Sequence, residues 1–172
     1  PTPTPTPTPS APPAAQTVNL STRMRVQTAD LVGIGGFIVT GSAPKRVILR
    51  AIGPSLTASG VPDALADPVM ELRGATGFVT ITNDNWRDNQ EAEIIATGIP
   101  PTNNLESAIV VTLNPGPYTA IVRGKLNTVG VALVEVYDLN PAAASKLANI
   151  STRAFVSTGN DIVIAGFILG NG

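Results

Sequence analysis

At 172 residues the chain is long enough for one domain with a sizeable core and some extension. Its 11 basic and 12 acidic residues leave a net charge of −1, which removes the broad positive field that draws nucleic acids or anionic membranes. With 0 Cys and 0 His it lacks disulfides, thiolate nucleophiles, the common zinc sites and the usual general base of neutral pH.

Only 13% of residues are charged, against about a quarter in ordinary soluble domains. Much of such a surface is expected to be covered by something, and a net charge near zero favours association. No segment approaches the roughly 18 apolar residues of a spanning helix, so no membrane span is expected. The chain shows no signal peptide and is read as an exported chain after processing.

In chain order, PTPTPTPTPSAPPAAQ comes first. Alternating Pro and Thr fits neither helix nor central strand and predicts an extended polyproline II arm over 1–17. Thr2, Thr4, Thr6 and Thr8 stand in the composition of O-glycosylated stalks, and are the candidate glycosylation sites. A plain linker is the alternative. Strands are then expected at 18–27, 31–40, 45–52, 68–73, 77–83, 107–113, 117–124, 129–138, 148–157 and 161–169, punctuated by Gly, Pro and Asn turns. One short helix is expected over 89–97, stopped by Gly98. The pattern predicts an all-β, antiparallel β-sandwich of jelly-roll or Greek-key type.

The chain also repeats itself. Residues 18–42 align without gaps onto 148–172 at an offset of 130, and 10 of the 25 pairs are identical, among them Ser21/Ser151, Thr22/Thr152, Arg23/Arg153, Gly36/Gly166 and Phe37/Phe167. One unit (18–147) is thus followed by the opening two strands of another (148–172), joined through the small-residue stretch 141–146. Two strands alone are marginal in water, so they must pack on their own unit or on a neighbour. An unpaired apolar stub containing Ile150, Phe155, Val156, Ile162, Ile164, Phe167, Ile168 and Leu169 would be an aggregation hazard unless covered. These residues are the expected polymer interface. The repeated Ser-Thr-Arg has two readings: equivalent environments within and between subunits, or inherited duplication.

Chemistry candidates are few. The stretch 83–93, NDNWRDNQEAE, offers Asp84 and Asp88 as calcium candidates, but its spacing does not match a helix-loop-helix calcium loop, and a surface turn anchored by Trp86 is the simpler reading. Arg50, Asp67 and Glu71 carry no geometry for a glycosidase carboxylate pair. Ser55 lacks a nucleophile-elbow context, and Gly33, Gly35 and Gly36 sit in a strand pattern, where they mark a bulge or a close backbone approach. No catalytic residue and no cofactor are expected.

The motifs NLSTRMRV, IGGFIVTGSAPKRVILRAIGPSL, NDNWRD, NPGPYTAIVRGK, TVGVALVEVYDL and KLANISTR together resemble a repeat domain found in tandem arrays in large secreted and surface proteins of environmental bacteria. The resemblance runs over 18–172 and implies a β-fold, an extracellular location and no enzymatic activity. The expectation is an extracellular structural subunit that polymerises head to tail with itself by strand addition, through heterologous contacts. The rival is a monomeric adhesion or carbohydrate-binding module, for which aromatic residues are scarce.

Overall fold

The computed structural model describes residues 15–159 and 161–171. Ten strands are formed: β1 (Ala15–Val26), β2 (Gly33–Gly41), β3 (Lys45–Ile52), β4 (Pro68–Arg73), β5 (Ile81–Asn83), β6 (Ser107–Leu113), β7 (Gly116–Gly124), β8 (Gly130–Asp138), β9 (Ser145–Arg153) and β10 (Ile164–Asn171). Among the described residues a single α-helix, α1 (Glu91–Ala96), precedes β6. The strands make two five-stranded sheets, ordered β10-β1-β8-β3-β6 and β5-β4-β7-β2-β9.

The first eight strands pair from the outside in: β1 with β8, β2 with β7, β3 with β6 and β4 with β5, all antiparallel. That is the pairing of one long hairpin rolled into a two-sheet barrel, the jelly roll. Period-two alternation decides which side chains meet between the sheets. Leu20, Met24 and Val26 of β1, Val47, Leu49 and Ala51 of β3, and Val134 and Val136 of β8 face Phe37, Met70, Leu72, Ala120 and Val122 of the opposite sheet in one buried cluster. The other face of β3 presents Ile48, which α1 covers with Ile94 together with the buried Trp86. The helix stops where expected, because Gly98 takes a left-handed φ of 77°.

Several boundaries differ from the sequence expectation. β1 starts at Ala15, inside the expected arm, because Gln16 is buried and donates from Nε2 to the Pro141 carbonyl at 2.7 Å. The expected strand 77–83 shrinks to β5, since the chain turns at Gly77 and leaves Val79 exposed. β9 takes in Ser145 and Lys146, which the sequence assigned to the joint, because Ser145 pairs with Gly41 and Leu147 is buried. The second copy's later strand begins at Ile164 rather than at 161. Thr2, Thr4, Thr6 and Thr8 lie outside the described residues.

The two lateral sides of the jelly roll are treated differently. On one side β6 is an edge strand, and its backbone is occupied by side chains. Gln90 donates from Nε2 to the Val110 carbonyl at 2.8 Å and accepts the Val110 N–H at 3.1 Å, while Asn83 Oδ1 accepts the Ala108 N–H at 2.9 Å. Such amides mimic a strand and block edge-to-edge pairing. On the other side β1 and β2 are long strands, and β10 and β9 add to them.

Candidate functional site

β1 at the margin of one sheet and β2 at the margin of the other form one open side of the jelly roll, called the seam below. In the isolated chain the repeated strands fill it: β10 pairs with β1 and β9 with β2. The two pairings share one register. Leu20 faces Phe167 and Phe37 faces Ile150; Ser21 faces Gly166 and Gly36 faces Ser151; Arg23 faces Ile164 and Ile34 faces Arg153. Each line exchanges into the other by adding or subtracting the repeat offset of 130 residues. At the centre the Thr22 and Thr152 hydroxyls lie 2.8 Å apart.

Small side chains make this approach possible. A Cβ on Gly36 would sit 2.3 Å from Ser151 Oγ, and one on Gly166 would sit 3.3 Å from Ser21 Oγ. The recurrent glycine thus admits the recurrent serine side chain on both strands; of the bulge or close backbone approach expected from the sequence, the close contact found is to a serine hydroxyl. Further out, Arg25 meets Asp161 at 3.2 Å and Arg153 donates to the Asp30 carbonyl at 3.3 Å.

The stub seals the seam but is itself uncovered. Phe167 is 64% exposed and Leu169 57%, whereas Phe37 and Val39, at the same repeat positions, are 3% and 1% exposed. Val156, Ile162, Ile164 and Ile168 are exposed as well, while Ile150 and Phe155 are half-buried. The outer edges of β9 and β10 pair with no described strand. The joint, residues 139–144, leaves β8 beside a buried ion pair, Lys45 Nζ to Asp138 Oδ2 at 2.8 Å; the same ammonium donates to the Asn140 carbonyl at 2.8 Å. Extended, those residues span about 20 Å.

Elsewhere the polar candidates serve the fold. Asp84 accepts from Lys125 Nζ at 2.6 Å, with Asp67 3.8 Å away, and Asp88 accepts from Asn85. The hydrogen bond from Lys125 to Asp84 raises the ammonium pKa. Burial, opposed by Lys125 and assisted by the Asp84 charge, raises that of Asp67. A lysine therefore stands where calcium was considered, and no metal-sized acidic cluster occurs among the described residues. Glu71 is bound by Arg73 and Arg123 rather than set against a second carboxylate. Arg50 holds Glu135 at 2.5 Å under the ring of Tyr137.

Ser55 gives its hydroxyl to Glu106 at 2.5 Å. That buried carboxylate also accepts the Gly53, Ser55 and Asn103 N–H groups. Glu106 passed unnoticed in the sequence, as did the edge-guarding roles of Asn83 and Gln90; no local signal separates such residues from turn polars. Trp86 is the expected packing anchor, 2% exposed, its Nε1 donating to the Asn103 carbonyl. No helix among the described residues is long and apolar enough to cross a membrane. Comparison with protein-family models, curated proteins and solved structures returns no match.

Proposed function

We propose that the chain is an extracellular structural subunit that assembles with itself by strand addition at the seam. The observation that carries this reading is the shared register: the stub that fills the seam is a second copy of the seam's own strands. When β9–β10 swings out on the joint and enters the seam of the next subunit, every pairing it makes at home is remade there. Exchange of this kind has little enthalpic cost, because only the joint changes.

Donor stub and acceptor seam are different surfaces of one chain, so each subunit donates once and accepts once. Such heterologous contacts run head to tail and open-ended unless a ring closes. Two long strands buried in this way cover on the order of 2,000 Å², within the obligate range. The guarded β6 edge leaves the seam as the side suited to addition. The scarcity of charge and the Pro/Thr arm, with Thr2, Thr4, Thr6 and Thr8 as glycan acceptors, fit an extracellular fibre.

The carbohydrate-binding alternative draws no support from the described aromatics. Trp86, Phe37 and Tyr118 are buried, Phe78, Tyr137 and Phe155 are half-buried, and Phe167 is exposed. Negative-stain electron microscopy of the full chain beside a chain ending at Ala144 tests the assembly. Filaments from the full chain alone support it; a dispersed full chain, or filaments from both, contradicts it.

A further inference from the structure

The seam carries an internal two-fold symmetry. Its axis passes between Thr22 and Thr152, the same residue of the repeat, and the pairings on one side of that point recur on the other except next to the bulge, where β1 pairs Asn19 with Ile168 but β9 pairs Ala148 with Ile38. A contact that maps onto itself when its halves are interchanged is one that two identical segments can make. Over the central strand positions, 20–23 and 34–37, the stub differs from the first copy only in Ile150 for Leu20 and Ala165 for Gly35.

We infer that the seam is a two-fold self-recognition surface, whose second occupant is the β1–β2 segment of another copy of this chain, seated where β9–β10 lies. Ser21 of the second copy then takes the place of Ser151 against Gly36, and its Arg23 takes the place of Arg153 at the Asp30 carbonyl. The first sheet, β6-β3-β8-β1, continues into β2-β7-β4-β5 of the second copy, and the reverse holds for the other sheet. Two continuous eight-stranded sheets result, with no ragged edge at the junction.

Covering separates this arrangement from the stub-filled one. Val26, Phe37 and Val39 pack with Met70, Ala120 and Val122 of the body and, with the stub seated, are 0%, 3% and 1% exposed. Val156, Phe167 and Leu169, their counterparts in the stub, stand at 60%, 64% and 57%. The second copy therefore brings its own cover, which the stub lacks. In the intact chain each seam has a stub to fill it, its own or, after exchange, a neighbour's, and the surface stays occupied. This inference needs no donation of the stub: stub exchange makes an open chain of subunits, whereas seam self-pairing closes at two.

The test uses the full chain carrying Thr22→Cys and a protease site within the joint, folded first and then cut. In the uncut protein the introduced thiol faces Thr152 of its own or a neighbour's stub, and mild oxidation is expected to leave the chains without a covalent crosslink on the gel. After cutting, the introduced thiols of two copies meet on the axis. A disulfide dimer of twice the body mass is expected to accumulate by non-reducing gel and light scattering, with the stub peptide in a separate fraction. Excess synthetic peptide of residues 145–172 is expected to suppress it. No dimer after cutting, equal crosslinking before and after, or a ladder of larger species would each overturn the inference. A full chain without filaments would instead sink strand donation and leave this result standing.

Discussion

Segments 18–42 and 148–172 carry nearly the same strands into different surroundings. In the first, Phe37 is sealed beneath Tyr118, with ring centroids 5.7 Å apart; in the second, Phe167 is 64% exposed on β10. The strand pattern is equal, so the difference lies in the neighbours. β7 covers β2 and β8 covers β1, whereas no described strand lies outside β10 or β9. Alternation fixes which face of a strand is apolar; whether that face is buried depends on chain elsewhere. The stub is a complete set of instructions for half of a core.

The widest gap between the copies should appear on truncating the shared phenylalanine. Phe37→Ala is expected to cost about 3–5 kcal/mol, as core Phe truncations do, and to lower the urea midpoint sharply. Phe167→Ala is expected to stay within about 0.5 kcal/mol for the monomer. Equal losses would mean that the stub is packed as the first copy is.

A second experiment sharpens the pairing between the copies. Gly36→Ala pushes a methyl into the Ser151 hydroxyl and is expected to cost about 1–3 kcal/mol, in the manner of overpacking. Adding Ser151→Gly should recover at least about 0.5 kcal/mol in a double-mutant cycle, although the residues are far apart in sequence. Strict additivity would place Ser151 away from Gly36.

The smallest effect concerns pH and separates body from stub. Burial raises the phenol of Tyr118 above its ordinary value of 10.0; burial, followed by the charge of Glu135, raises that of Tyr137. Above pH 10 the unfolded chain therefore releases protons that the folded chain retains, and stability falls as pH rises through the folded values. Tyr137→Phe should flatten part of that alkaline loss in urea titrations. Because both phenols belong to the jelly-roll body, a chain ending at Ala144 should keep the same slope.

Much of this was legible in the sequence. β3, β4 and β6 have the boundaries their alternation and turn residues imply, and the repeat itself revealed the stub. What was not legible depends on distant chain. Ser145 reads as linker, yet Gly41 draws it into β9; Gln90 reads as a helix start, yet it spends its amide on Val110. Asp84 reads as a turn residue or a calcium candidate, and its partner, Lys125, comes from a distant turn. The register of stub on seam also lay hidden, since a repeat states likeness without stating who pairs with whom.

The central claim is that assembly proceeds by moving the stub out of its own seam. It is tested most directly by locking the stub at the axis. In a chain with no other cysteine, Thr22→Cys with Thr152→Cys places two thiols where hydroxyls lie 2.8 Å apart, ready to form an intramolecular disulfide. Light scattering and electron microscopy should show single subunits while the disulfide holds and filaments after reduction. Filaments from the oxidised, locked chain would contradict the account.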